Sequence, residues 1–108
     1  MKKIIAIVAC SLIASPAFAR GDAAAGEAKA KSVCAACHGP DGNAPTTPEF
    51  PRLAGQYYDY LVRALQDYKS GRRGNPIMKG FAAALSRQDI EDLAAWFSGQ
   101  PSGLHSQR

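Results

Sequence analysis

The amino-acid sequence predicts an all-α protein with three main helices. After residue 19, apolar side chains recur with the three- and four-residue spacing of amphipathic helices, and glycine and proline separate these periodic segments. No segment alternates apolar and polar residues over the length of a strand. A chain of 108 residues is expected to form one domain at most, which we place at residues 20–108.

The first 19 residues have the pattern of a secretory signal peptide. A basic start precedes an apolar run over residues 4–13, which is far shorter than the roughly 20 residues of a membrane-spanning helix. Pro16 ends the run, and Ala17 and Ala19 are small residues at the two positions that a signal peptidase reads. We predict cleavage after Ala19, export to the periplasm and a mature chain without a membrane anchor.

Cys10 permits a second interpretation of this segment, in which the cysteine is acylated as in a lipoprotein. Only six apolar or small residues precede it, fewer than the roughly 7 to 15 of a signal-peptide core, so an ordinary apolar residue explains Cys10 better. Cleavage also removes Lys2 and Lys3, which lowers the formal charge from +4 to +2. This charge does not indicate a nucleic-acid partner.

The first helix is expected over residues 22–36. Asp22 is a suitable N-cap, while Glu27 and Lys31 lie towards the helix ends that their charges favour. Gly26, in the interior, lowers helix stability by about 1 kcal/mol relative to alanine. We therefore expect another backbone or ring to approach the helix at Gly26.

The second helix is expected over residues 56–70. Four prolines in residues 39–55 exclude a helix there and predict an extended loop. Gly71 ends the second helix. Its apolar stripe consists of Tyr57, Tyr60, Leu61, Ala64, Leu65 and Tyr68.

The third main helix is expected to begin after Ser86, because Ser86 and Asp89 form a capping-box pattern. An irregular loop is expected over residues 72–79, followed by a short helical turn at 81–85. Gly99 ends the last helix, and residues 100–108 are predicted to be a frayed tail. Its apolar stripe consists of Ile90, Leu93, Ala94 and Phe97.

Cys34, Cys37 and His38 form the sequence Cys-Ala-Ala-Cys-His, which is typical of covalent haem attachment. Two thiols three residues apart can each add to one vinyl group of the ring. The imidazole of His38 is then in position to bind the iron. The pattern predicts one haem c, held by two thioethers and ligated by His38.

Three other kinds of site contain a similar pair of cysteines. A structural zinc site needs a fourth ligand, for which the mature chain offers only His105 in the tail. A thioredoxin-like pair begins a helix after a strand, whereas Cys34 and Cys37 end a helix. A structural disulfide between them would close a very short loop and would leave His38 without a role.

Met78 is the only methionine of the predicted mature chain. Electron-transfer haems take a methionine or a histidine as their second ligand. A methionine that merely fills the core is expected within an apolar stripe, and Met78 lies outside both stripes, in a loop that Pro76 stiffens. By elimination, we predict Met78 as the distal ligand of the iron.

The chain resembles the class I c-type cytochromes, most closely one half of the periplasmic dihaem cytochromes of the c-four and c-five group. This resemblance covers essentially the whole mature chain, but with a single attachment motif. It implies three main helices and loops wrapped around one haem. It rests on Gly26, Cys34-x-x-Cys37-His38-Gly39, Phe50-Pro51-Arg52-Leu53-Ala54-Gly55-Gln56, Asn75-Pro76-x-Met78 and Leu85-Ser86-x-x-Asp89.

The resemblance also implies roles for individual residues. The carbonyl of Pro51 is expected to accept a hydrogen bond from the free ring nitrogen of His38. Leu53 is expected to pack on the proximal face of the haem. Gly26 is expected to let the first helix cross the last one closely, against Trp96.

Several basic residues of the mature chain have two interpretations. They can bind the haem propionates or attract an anionic redox partner, or they can form an ordinary solvated face. The sequence does not assign one of these roles to any single residue of the group. These residues are Arg63, Lys69, Arg72, Arg73 and Lys79.

The function predicted from these residues is one-electron transfer and not catalysis, because His38 and Met78 occupy both axial positions of the iron. The expected partners are a redox protein donor and acceptor, such as an oxidase, a reductase or a dehydrogenase. Nothing in the sequence demands more than a monomer. Peroxide or gas chemistry after displacement of Met78 is one alternative, and a subunit of a periplasmic dehydrogenase complex is another.

Overall fold

The computed structural model describes residues 2–11 and 21–103. Within these ranges the protein is helical and contains no strand, so the predicted all-α fold class is confirmed. None of the helices within them is long and apolar enough to cross a membrane. The elements are α1 (Ala23–Lys29), a π-helical segment (Ala30–Cys34), α2 (Ala35–His38), α3 (Tyr58–Ser70), α4 (Pro76–Ala83) and α5 (Arg87–Ser98).

The predicted first helix consists of α1, the π-helical segment and α2, joined end to end without a loop. The Asp22 side chain caps α1 by accepting hydrogen bonds from the backbone of Ala24 and Ala25. Ala35 donates its backbone N–H to the carbonyl of Ala30, the five-residue spacing of a π-helix. One extra residue in a turn rotates the remainder of the helix by roughly 100°. The sequence pattern did not predict this rotation.

The α1 and α5 helices cross at Gly26, where the sequence predicts a close approach. A Cβ atom on Gly26 would lie 1.9 Å from the backbone oxygen of Asp92 and 3.0 Å from Cβ of Trp96. The buried Asp92 carboxylate also accepts a hydrogen bond of 2.7 Å from the backbone N–H of Asp22. A second bond of 2.7 Å comes from the Gln88 side chain. The start of α1 is thus tied to α5.

The core lies between α1, α3 and α5. The four apolar residues predicted for the last helix are all at most 3% exposed, which confirms that stripe. The α3 helix begins at Tyr58, two residues later than predicted, and ends at Ser70. Gly71, the next residue, caps it in a left-handed conformation (φ +81°). The core cluster comprises Ala30, Leu61, Leu85, Ile90, Leu93, Ala94 and Phe97.

The α4 helix corrects the sequence prediction, which expected an irregular loop up to residue 79. The side-chain oxygen of Asn75 accepts hydrogen bonds of 3.1 Å from the backbone of Ile77 and Met78, and so caps the helix. Pro76 occupies the first turn, where no partner for a backbone N–H is needed. Met78 therefore lies in the first turn of a helix.

Two segments at the ends of the chain lie wholly or partly outside the described residues. The predicted cleavage point after Ala19 is one of them, and His105 with the end of the tail is the other. At the start of the predicted tail, the Gln100 side chain donates to the carbonyl of Trp96 at 3.0 Å. The carbonyl of Pro101 accepts a bond of 2.9 Å from Asn43.

The predicted capping box is present at the start of α5. Ser86 Oγ accepts from the backbone of Asp89 at 3.0 Å, and the Asp89 carboxylate accepts from the backbone of Ser86 at 2.9 Å. The backbone hydrogen bond from Ser86 is the main reason that the pKa of Asp89 lies below its ordinary value. The ionised carboxylate is therefore the form that stabilises the fold.

Asp89→Ala should lower the free energy of unfolding by about 1 kcal/mol at neutral pH, because α5 loses half of its capping box. A carboxyl whose folded pKa is lowered stabilises above its unfolded pKa of about 4, and this contribution disappears as pH falls through the folded pKa. The free energies of unfolding of the wild-type and Asp89→Ala holoproteins, measured with denaturant, should therefore become equal in acid. Glu91→Ala is the control, since the Glu91 carboxylate pairs with the exposed Arg87 of the same helix and is not part of the cap. An equal decrease in the free energy of unfolding of Asp89→Ala and Glu91→Ala would contradict a capping role for Asp89.

Candidate functional site

A cavity of about 430 Å³ lies between α2, α3, α4 and the loop around residues 49–56. Its volume falls within the roughly 300 to 1,000 Å³ of typical cofactor and ligand sites. Most of the apolar stripe of α3 faces this cavity. The stripe contributes Tyr60, Leu61, Ala64, Leu65 and Tyr68 to the lining.

Cys34 and Cys37 line the cavity at the junction of the π-helical segment and α2. Both are free cysteines, without a disulfide between them. Burial, followed by the charge of Cys37, raises the pKa of the Cys34 thiol to about 11. A thioredoxin-like thiol needs the opposite shift, so this environment does not favour the redox-pair alternative.

His38 ends α2 and is buried, with its ring at the cavity. Its Nδ1 lies 2.9 Å from the carbonyl oxygen of Pro51, which is the contact that the resemblance implies. A carbonyl oxygen only accepts, so Nδ1 carries the proton and Nε2 keeps the lone pair that a metal needs. The ring of Phe50, for which the sequence predicted no role, lies 6.1 Å from the His38 ring between centroids.

Pro51 and Leu53 both line the cavity. The carbonyl of Gly42 accepts hydrogen bonds from the backbone of Leu53 at 2.9 Å and of Ala54 at 3.3 Å. These bonds tie the loop that carries Pro51 to the chain just after His38. The same loop contributes Arg52 to the lining, a residue for which the sequence predicted no role.

Met78 is half-buried and lines the same cavity as His38. The Asn75 cap and Pro76 set the start of α4. The side chains of Ile77 and Met78 line the cavity from the first turn of this helix. Ile77 and Phe81 also line the cavity, although each remains more than two-fifths exposed. The signal for this helix was the Asn-Pro pair, which is typical of a helix start.

The cavity's residues fit a covalently attached haem. Two thiols lie beside an imidazole whose Nε2 is free to bind a metal, a thioether lies on another helix, and the walls are largely apolar. In the described part of the chain, no group of three or more His, Cys, Asp or Glu side chains is arranged to hold a metal ion. A closed zinc site needs such a group.

Residues 21–97 match a protein family described as cytochrome c oxidase, cbb3-type, subunit III. The chain belongs to the c-type cytochromes. Its structure is similar to the crystal structure of reduced recombinant cytochrome c4 from Pseudomonas stutzeri, with a TM-score of 0.71 and 46% identity. The alignment covers 78% of this chain and 48% of that one. The resemblance to class I cytochromes of the c4 group is confirmed.

Two relatives show how this cytochrome compares in length. It is 54% identical over 84 residues to cytochrome c4 of Pseudomonas aeruginosa, covering 78% of this chain and 41% of the relative. It is 46% identical over 83 residues to cytochrome c-554(548) of Halomonas halodenitrificans, covering 74% of this chain and 98% of the relative. The chain thus spans about half the length of the cytochromes c4 that it matches.

Membership of the family establishes the cofactor. This cytochrome carries covalently bound haem c. The single Cys-x-x-Cys-His motif at residues 34–38 accounts for one haem.

Proposed function

We propose that this cytochrome is a monohaem one-electron carrier of a periplasmic respiratory or dehydrogenase-linked chain, with His38 and Met78 as its axial ligands. The observation that carries this proposal is that Cys34, Cys37, His38 and Met78 all line one cavity. When bound there, haem supplies the exchange between ferric and ferrous iron.

The chain's own residues have distinct tasks in this proposal. Cys34 and Cys37 would hold the ring through two thioethers. Pro51 holds the His38 ring by the 2.9 Å contact and makes it a stronger ligand. The soft thioether of Met78 favours ferrous iron and raises the midpoint potential, while the apolar walls exclude water.

Electron transfer is favoured over peroxide or gas chemistry by the composition of the cavity wall. A catalytic haem normally uses a distal acid or base, and His38 is the one histidine among the described lining residues. If Met78 occupies the sixth position, no site remains for a substrate. The protein is then a carrier and not an enzyme.

Export through cleavage after Ala19 is part of the same proposal. Within residues 2–11, which the structure describes as non-helical, the four large aliphatic side chains are at least 83% exposed. An exposed apolar segment that does not pack on the domain fits a signal peptide that is cleaved from the mature protein. These side chains belong to Ile4, Ile5, Ile7 and Val8.

The periplasmic protein should have the mass of residues 20–108 plus one haem, and acid–acetone extraction should leave the haem on the polypeptide. Thioether bonds survive a treatment that removes haem held by ligation alone. Mass spectrometry of the extracted protein measures both properties. Colour that moves wholly into the solvent would contradict covalent attachment, and a mass that retains residues 1–19 would contradict cleavage.

Cys10→Ala is a matched control for this experiment. It removes the one cysteine outside the predicted mature chain and leaves the haem motif intact. The same mature mass and haem content are expected as in the wild type. Acylated wild-type protein, together with failed processing of Cys10→Ala, would instead support the lipoprotein alternative.

A further inference from the structure

Arg73 is the one residue among the five basic residues left open by the sequence that lines the cavity. Arg63 pairs with Asp67 at 3.9 Å on α3. Lys69 donates a hydrogen bond to the backbone carbonyl of Leu85. Arg72 and Lys79 are exposed, as is Arg73, but these two do not line the cavity. The structure therefore separates Arg73 from its neighbours in the chain.

Two tyrosines of α3 hold the Arg73 side chain. Its Nη1 donates a hydrogen bond of 3.3 Å to the hydroxyl of Tyr60, and its Cζ lies 4.8 Å from the ring centroid of Tyr68. A guanidinium over an aromatic face is stabilised by the negative face of the ring. The backbone N–H of Arg73 also donates to the carbonyl of Asp67 at 3.0 Å. Both tyrosines line the cavity themselves.

The haem brings two carboxylates into a cavity that is otherwise largely apolar. A carboxylate that leaves water needs charged or polar partners. Arg52 and Arg73 are the two cationic side chains among the described lining residues. Arg73 is held in place by α3, and the bond to Tyr60 uses only one of its five N–H donors.

We propose that Arg73, held by Tyr60 and Tyr68, binds a haem propionate and keeps it ionised at neutral pH. The inference rests on the proposed function in one respect, namely that the haem occupies this cavity. A cation at this position favours the ferrous state, because ferric haem carries the additional positive charge. Loss of Arg73 therefore lowers the midpoint potential and raises the pKa of the propionate.

Arg73→Gln and Arg72→Gln form a matched pair for the test. Each removes one positive charge, at adjacent positions, but only Arg73 lines the cavity. The midpoint potential of each holoprotein is measured from mildly acidic to neutral pH. We expect Arg73→Gln to lower the midpoint and to make it depend on pH as the propionate titrates. Arg72→Gln should keep the wild-type pH profile.

Other ionisable groups at the cavity are not expected to give the same pH dependence of the midpoint potential. Hydrogen bonding, first from the Thr47 side chain, places the pKa of Glu49 below its ordinary value, so it titrates at lower pH. Arg52, Tyr60 and Tyr68 also line the cavity, and none of them is a carboxylic acid. The remaining titratable residues, Cys34, Cys37 and His38, are bound to haem or iron in the holoprotein.

Tyr60→Phe and Arg73→Lys provide a second measurement if Arg73→Gln does not fold. The first removes only the hydroxyl that accepts from Arg73, and the second retains a charge but loses the planar fork. Each variant should lower the midpoint potential and increase its dependence on pH, but by less than Arg73→Gln does. Identical profiles for Arg73→Gln and Arg72→Gln, or wild-type profiles for both milder variants, would overturn the propionate assignment. Retained covalent haem in these proteins leaves the proposed function standing.

Discussion

Met78→Ala should leave haem attached to the polypeptide but lower the midpoint potential by a large part of the roughly 0.8 V that axial ligation spans among haem proteins. Cys34, Cys37 and His38 are untouched, so covalent attachment does not depend on the change. Loss of the soft thioether destabilises ferrous iron relative to ferric iron. Potentiometric titration of the two holoproteins measures the difference.

The ligand assignment has two further consequences in the same variant. The sulfur-to-iron charge-transfer band of the ferric protein should disappear, and carbon monoxide should bind the reduced variant readily while the wild type resists it. Ile77→Ala is the control, because Ile77 lines the same cavity from the same turn of α4 without a ligand atom. A variant that lacks Met78 but keeps the band and the wild-type potential would show that another residue binds the iron.

The double variant Cys34→Ala/Cys37→Ala should yield a haem-free chain without a fixed core. Among the described residues, the largest fully buried side chains are those of Ile90 and Leu93. Many other apolar side chains line the cavity, where the haem would cover them. A domain of this size gains little stability from its own core. We expect a compact state with poorly dispersed NMR signals and no cooperative unfolding transition.

The position of each helix suggests which part of the haem-free chain retains most structure. The contacts of α1 with α5 at Gly26 and Asp92 do not involve the cavity, whereas α3 and α4 line it. Hydrogen exchange should therefore be slower in α1 and α5 than in α3 and α4. Cys10→Ala, which keeps the haem motif, should retain the protection of the wild type. Sharp, dispersed signals throughout the haem-free double variant would show that the haem is not needed for the core.

Local sequence patterns determined the haem motif, the apolar stripes of α3 and α5, and the capping box at Ser86. These features depend on residues three or four positions apart, for which helix geometry alone dictates the neighbours. The Asn75-Pro76 pair carries the same kind of signal for α4, although a proline at position 76 also fits a loop. The roles of His38 and Met78 as ligands stay predictions.

The tertiary structure decided the features that join distant parts of the chain. The α1–α5 crossing at Gly26 and the bond between His38 and Pro51 were implied by the family resemblance and not by residue spacing, because they depend on how loops and helices pack. The choice of Arg73 among five basic residues depends on the same packing. The π-helical segment before Cys34 also had no signal in the residue pattern. Hydrophobic periodicity specifies which face of a helix is buried but not what lies opposite, because contacts between elements depend on the path of the whole chain.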